Sequence, residues 1–359
     1  MRTNSCSFPK IVGRKIEVGL IGCGRISKNH FAALIRYSDD FRLVAVCDTD
    51  KNALQSAMVE YKVSGYSRIE DLLKKEKLDL AVLCTPSGLH SPQAILAAES
   101  GVNVICEKPM STRYQDGVEM LNACNKSNVR LFIVKQNRLN TTLQLLKRAV
   151  DEKRFGNIKM ININVFWTRP QEYYDQGDGW RRTIELDGGV FMNQACHYID
   201  LIEWLNGPVD SVQSMMSTTR DIETEDSGVI NLKWHSGALG SVAVTMLTYP
   251  KNLEGSITVL GEKGTVRVGG VAVNEIQTWE FADQKDYDEK ITVANYQTKS
   301  VYGFGHIKYY RNVIDVLRGT AEPTMDGREG LKLMELLTAC YMANRDQTTI
   351  KLPLNLKLS

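Results

Sequence analysis

Glu17-Val-Gly-Leu-Ile-Gly22-Cys-Gly24-Arg-Ile-Ser27-Lys-Asn-His30 decides the fold of this chain. Ile16 to Ile21 is a short apolar run that reads as a buried parallel strand. It breaks at Gly22 and Gly24, and a helical pattern follows with Ile26, Phe31, Leu34 and Ile35 on one side. Strand, glycine turn (G-x-G-x-x-S) and helix make the opening of a dinucleotide fold. Gly22 permits the tight turn and Gly24 lets a pyrophosphate approach the backbone. Ser27 stands where Gly or Ala is usual, and is small enough for helix to pack on strand. The helix N-terminus offers N–H groups and a partial positive charge to that anion.

A glycine pattern by itself equally describes an ordinary tight turn. The second strand separates the two readings. Phe41 to Cys47 ends at Asp48, 24 residues after Gly24, where an acidic side chain meets the adenosine ribose hydroxyls of NAD. A carboxylate there repels a 2′-phosphate, and Thr49 follows where an Arg would have welcomed one. NAD is expected over NADP.

Working outward, 359 residues suffice for two domains with sizeable cores. A formal charge of +2 without a basic run argues against a nucleic-acid surface. No apolar run of membrane-spanning length occurs, and residues 1–10 carry no apolar signal-like core. The eight cysteines form no C-x-x-C pair and several fall in expected strands, which fits reduced thiols in a cytoplasmic protein. The five histidines show no metal-ligand spacing, so no metal is expected.

After Asp48 the pattern alternates strand and helix, as in a doubly wound parallel sheet. Asp50 is placed to cap a helix through Tyr61, and Ser67-Arg-Ile-Glu70 reads as a capping box. The strand Asp79 to Cys84 runs into Thr85-Pro86-Ser87-Gly88-Leu89-His90, a loop at the carboxyl edge of the sheet, where ligands bind in such folds. The strand Val102 to Cys106 delivers Glu107-Lys108-Pro109 to the same edge. A lone Lys is usually a solvated charge, but Lys108 leaves a core strand at that edge with a proline beside it. Gln136-Asn137-Arg138 end the last strand there; for these a solvated loop is an equal alternative.

Beyond residue 156 the texture changes. Ile158 to Trp167 alternates as an antiparallel strand does. Arg169 to Arg182 is a long polar and aromatic loop, read as a lid or binding loop against a disordered excursion. Asp187-Gly188-Gly189 opens a helix through Asn206 with a Gly207-Pro208 stop. Asn193 and His197, four apart, are expected on one face of it. A single His on an apolar helix is more often a core residue. Asp210 to Thr298 reads as one broad, mostly antiparallel sheet, followed by helices near 305–317 and 327–344. The expected division is a loose leader at 1–14, a Rossmann domain at 15–138 and an α+β substrate and oligomerisation domain at 139–359.

Together these motifs resemble the Gfo/Idh/MocA oxidoreductases. The resemblance rests on Gly22-Cys23-Gly24-Arg25-Ile26, Thr85-Pro86-Ser-Gly-Leu-His90, Glu107-Lys108-Pro-Met110, Gly188-Gly189 through His197-Tyr-Ile-Asp200, and Asp326-Gly-Arg-Glu329-Gly-Leu-Lys332. Lys135-Gln-Asn-Arg138, Asn164 to Tyr174 and Thr248 to Gly255 further resemble the WlbA-like branch, whose members oxidise the 3-hydroxyl of UDP-N-acetyl-D-glucosaminuronate with NAD in making bacterial surface polysaccharide. The resemblance implies that Lys108 hydrogen-bonds the reacting hydroxyl and that His197 is the acid/base. For the cofactor it implies Gly22, Cys23, Gly24, Arg25, Ile26, Asp48, Thr85, Pro86, His90, Glu107, Lys108 and Gln136. For a UDP-linked amino-sugar uronate it implies Lys108, Asn137, Arg169, Tyr174, Asn193 and His197. A homotetramer through the C-terminal sheet is also implied. Many relatives carry Asp where this chain has Asn193; without that charge Lys108 loses a partner that would hold it protonated, which leaves His197, Lys108 or both as the base. The competing expectations are an inositol-type polyol dehydrogenase and a catalytically silent dinucleotide-binding regulator.

Overall fold

The structure, a computed structural model, describes residues 8–298 and 305–355. The first seven residues of the expected leader, Cys6 among them, lie outside the described residues. The rest of that segment is not loose. Ile11 is buried and its N–H donates to the Leu317 carbonyl at 2.9 Å, while Arg14 pairs with Asp79. The chain forms two compact units: everything up to Val134 together with His306–Met334, and Lys135–Gly305 together with the chain from Glu335 on. A linear cut at residue 138 does not separate them, because the helix Gly305–Arg318 packs almost wholly with the first unit.

The first unit is built on a six-stranded sheet of β1 (Ile16–Ile21), β2 (Phe41–Cys47), β3 (Ser64–Tyr66), β4 (Leu80–Leu83), β5 (Asn103–Cys106) and β6 (Leu131–Ile133), in the order β3-β2-β1-β4-β5-β6. Every neighbouring pair is parallel. Parallel strands covered on both faces read as unbroken apolar runs, and all four residues of β4 are fully buried. The strand order reverses between β1 and β4, which places the ends of these two strands side by side at the switch point where such sheets bind ligands.

Two local expectations fail here. The helix Ser27–Arg36 buries Ser27, His30, Phe31, Ala33 and Leu34, but Ile35 is 61% exposed, because the buried stripe runs 27–30–31–34 and Ile35 falls beyond it. The helix Ile69–Lys75 starts from Arg68 without a side-chain cap, so Ser67 forms no capping box. Asp50 does cap Lys51–Tyr61, accepting from Asn52 N at 2.8 Å and Ala53 N at 3.1 Å.

The second unit carries an eight-stranded sheet of β7 (Ile158–Phe166), β8 (Val209–Ser217), β9 (Ser227–Trp234), β10 (Leu239–Thr245), β11 (Glu254–Gly261), β12 (Gly264–Gly269), β13 (Glu275–Phe281) and β14 (Ile350–Lys351). Its order is β13-β12-β11-β7-β10-β9-β8-β14, antiparallel throughout except for the parallel pair β7–β10. Alternation sorts the two faces. Ile161, Ile163, Val165, Ile230, Leu232, Trp234, Val242 and Val244 are buried, and the helix Cys196–Asn206 packs against β7. On the opposite face Met215 stands across from Val229, and Leu239 from Met160, all four exposed.

Candidate active site

In the first unit, the turn after β1 is set by Gly22. Its φ is +93°, and a Cβ there would lie 2.6 Å from the Cys84 carbonyl carbon and 2.8 Å from Thr85 N, so only glycine lets β1 end beside β4. Gly24 is different. A Cβ on it would meet nothing within 4 Å, so the backbone is open on that side. Ser27 is buried, its hydroxyl donating to the Gly24 carbonyl at 2.6 Å, which holds the turn against the helix. Ile26 occupies the N-cap and supplies no side-chain acceptor to the first-turn N–H groups, while Arg25 beside it is exposed.

Asp48 is fixed by two backbone donors, Cys23 N at 2.6 Å and Asp50 N at 2.8 Å, so its carboxylate lies against the glycine turn. A glycine turn with an open backbone and an anchored carboxylate at the end of β2 suit the pyrophosphate and ribose of a dinucleotide. The Cys23 thiol in that turn is pushed up to about 12 by burial and by Asp48, which leaves it protonated and unreactive.

The ends of β4 and β5 are tied together by His90. Its ring lies 2.9 Å from the Thr85 carbonyl and 2.8 Å from the Pro109 carbonyl, and burial pushes its pKa down. Pro86 follows Thr85 as the N-cap of the short turn Ser87–Leu89. The Lys108–Pro109 peptide is cis. Glu107 is buried beneath Lys108: one carboxylate oxygen accepts the Lys108 N–H at 3.1 Å, and the other faces His30 Nε2 at 2.9 Å and His306 Nε2 at 3.2 Å. Burial would raise the Glu107 pKa, but the two imidazoles outweigh it and hold the carboxyl well below its ordinary range. His30 is pushed down by its own burial, and its Nδ1 lies 2.8 Å from the Tyr310 hydroxyl. This buried histidine–carboxylate cluster escaped the sequence reading, since His306 lies 199 residues from Glu107.

In the second unit, Lys135 precedes and Arg138 lies within a tight turn, Gln136–Leu139, and both donate to Asp200. Arg138 reaches the two oxygens of that carboxylate at 2.6 and 2.8 Å. The turn is held by the helix of His197, one turn before Asp200, and it presents Gln136 and Asn137, both buried. Among the described residues, Oε1 of Gln136, Oδ1 of Asn137 and the buried Tyr174 hydroxyl have no hydrogen-bond partner. Buried polar atoms in that condition are open to ordered water or to a ligand's polar groups.

Asn193 and His197 do not share one continuous helix. Val190–Asn193 and Cys196–Asn206 are separate, because Ala195 N reaches back to the Val190 carbonyl at 2.9 Å, five residues away, and widens the turn. The Asn193 amide donates to Asp187. Arg169 donates to Asn252 at 3.3 Å and to Gln194 at 3.2 Å. Loop 169–182 is ordered rather than a disordered excursion, containing the helix Gln171–Asp175 and the turn Trp180–Arg182.

Sequence reading also missed Glu225. Its carboxylate accepts from Phe191 N at 2.9 Å and Tyr341 Oη at 2.8 Å. A Cβ on Gly189, at φ +109°, would lie 2.5 Å from it, which is why that position is glycine. Burial raises Glu225 to about 7. The native state therefore binds a proton that the unfolded chain has released between pH 4.5 and 7, and stability falls as pH rises across that window. Glu225→Gln is expected to remove about 3 kcal/mol of that pH dependence, so that thermal melts at pH 8 show the variant above the parent and melts at pH 4.5 show them alike.

The two units define a dinucleotide-dependent oxidoreductase. Residues 16–135 match the oxidoreductase family with an NAD-binding Rossmann fold, and residues 147–352 match its C-terminal alpha/beta domain, so the chain belongs to the GFO/IDH/MocA family. It is 56% identical to the WlbA dehydrogenase of Chromobacterium violaceum, crystallised with NADH and UDP-GlcNAcA (TM-score 0.93; 98% of this chain and 99% of that one). It is 57% identical to the WlbA dehydrogenase of Bordetella pertussis, crystallised with the same two ligands (TM-score 0.93; 96% and 100%). Among curated relatives, D-apiose dehydrogenase of Paraburkholderia graminis is 26% identical over 94% of this chain and 90% of its own length.

Proposed function

We propose that this chain is an NAD-dependent dehydrogenase that oxidises the 3-hydroxyl of a UDP-linked N-acetylglucosaminuronic acid to the 3-keto sugar, a step toward diacetamido uronic acids of bacterial surface polysaccharide. One observation carries the reading: a 56% likeness over nearly the whole chain to a dehydrogenase crystallised with NADH and UDP-GlcNAcA. NAD, when bound, supplies the hydride acceptor. Gly22 to Ile26, Asp48, Thr85, Pro86, His90, Glu107 and Gln136 are the residues proposed to hold it. Asp48 selects NAD by accepting from ribose hydroxyls and repelling a 2′-phosphate.

Lys108 and His197 orient the reacting hydroxyl and one of them takes its proton. Asn137, Tyr174 and Asn193 orient the sugar, and Arg169 takes an anionic group of the substrate. Incubation with NAD and UDP-N-acetylglucosaminuronate tests the proposal. NADH absorbance is expected to rise, with a sugar product lighter by two hydrogens. NADH formation with inositol or another polyol, and none with the sugar nucleotide, would overturn it.

The assembly we propose is a cytoplasmic homotetramer formed through the C-terminal sheet. The exposed apolar pairs Met215/Val229 and Leu239/Met160 support a partner on that face. Among the described residues every cysteine is free and no helix is long and apolar enough to cross a membrane. Light scattering should return the mass of four chains; a monomer at micromolar concentration would contradict it.

A further inference from the structure

In the second unit, two arginines and three aromatic rings alternate. The Arg169 guanidinium carbon lies 5.3 Å from the Trp167 ring centre and 5.4 Å from that of Tyr173. Arg181 continues the series, 5.0 Å from Tyr173 and 4.3 Å from Trp180. Gln194 fastens one end, accepting from Arg169 at 3.2 Å and donating to the Tyr173 hydroxyl at 2.8 Å. Gln194 stands three residues before His197, so the stack adjoins the segment that carries the proposed acid/base.

The charges in this stack are not matched within the protein. Arg182, the next residue, pairs with Asp221 at 2.5 Å and Asp175 at 3.5 Å, whereas Arg169 and Arg181 meet no carboxylate among the described residues. Arg169 directs Nη1 to the Thr168 carbonyl and Asn252 and Nη2 to Gln194, which leaves its Nε–H. Arg181 makes no hydrogen bond among the described residues and keeps its N–H edge for an acceptor. Two cations flanking one ring suit the charge of a diphosphate, and the flanking rings offer a face to a nucleobase. Surface lysines would supply charge without this planar order.

We propose that the Trp167–Arg169–Tyr173–Arg181–Trp180 stack is the nucleoside-diphosphate subsite, with Arg181 and Arg169 on the diphosphate and Trp180 beside the base. This rests on the reading that the substrate is a nucleotide sugar. It divides the substrate in two: the diphosphate is the handle, and the sugar ring is presented from it toward His197. Arg181 therefore acts on binding rather than on the chemical step.

The test uses the NAD-loaded enzyme and UDP alone, which lacks the sugar and its carboxylate. UDP is expected to bind by titration calorimetry and to compete with UDP-N-acetylglucosaminuronate. Arg181→Ala should weaken UDP and raise KM together by roughly ten- to a hundredfold, with kcat, NAD affinity and melting temperature near the parent values. Arg181→Lys, which keeps charge but not the fork, should recover only part of the loss. If the parent turns over the sugar nucleotide but UDP does not bind, or binds Arg181→Ala equally well, the subsite is wrong while the functional reading stands. Absence of turnover overturns the functional reading instead, and the UDP titration still decides the subsite.

Discussion

Lys108→Met is expected to lower kcat by about 10²–10⁴-fold while NAD still binds. The amine is what the variant loses; its backbone setting remains. Lys108 follows β5, its N–H donates to Glu107, and Glu107 is held in turn by His30 and His306. None of these depends on the Lys108 side chain, and methionine keeps a similar length of chain. A fluorescence titration with NADH should match the parent, and initial rates with the sugar nucleotide should collapse. Turnover within a few-fold of the parent would remove Lys108 from the chemistry. The dinucleotide turn at Gly22 and Asp48 would be untouched by that result.

Asp200→Asn is expected to destabilise the second unit by about 3–5 kcal/mol, because one partner of a buried ion cluster is removed. Asp200 is buried, and burial alone would raise its pKa; Lys135 and Arg138 outweigh that and hold it below the ordinary carboxylate range. Its contribution is therefore complete at neutral pH and is lost as pH falls through the depressed native value. The variant should melt roughly 10 °C lower at pH 7, with the difference shrinking in acid. Unchanged melting at pH 7 would show the cluster to be energetically neutral. Loss of kcat in the same variant would follow from its place one turn after His197, since the helix and the Gln136–Asn137 turn are joined through this carboxylate.

Both variants bear on how the chain encodes its site. The glycine turn, Asp48 and the delivery of Lys108 to the carboxyl edge were legible because each depends on a few consecutive residues and on strand and helix periods. The WlbA-like resemblance was legible for the same reason, as ordered local motifs. The helix of His197 was read correctly in place but not in continuity. Its break at Ala195 is a single widened turn that no side-chain spacing announces. Gly189 reads as part of a glycine entry to a helix; it is also a close approach to Glu225, 36 residues further on, and the sequence carries no mark of that pairing.

By itself the sequence determined the class of fold, the dinucleotide turn, the choice of NAD and the delivery of Lys108 to the carboxyl edge of the sheet, since short-range sterics and hydrophobic periodicity fix these. Tertiary structure alone decided the rest. It returned His306 and Tyr310 to the first unit beside Glu107 and His30, and set Asp200 between Lys135 and Arg138. It also interleaved Arg169 and Arg181 with aromatic rings. The physical reason is that buried charges take whichever partners the packed chain brings within hydrogen-bonding distance, and sequence separation does not constrain that choice.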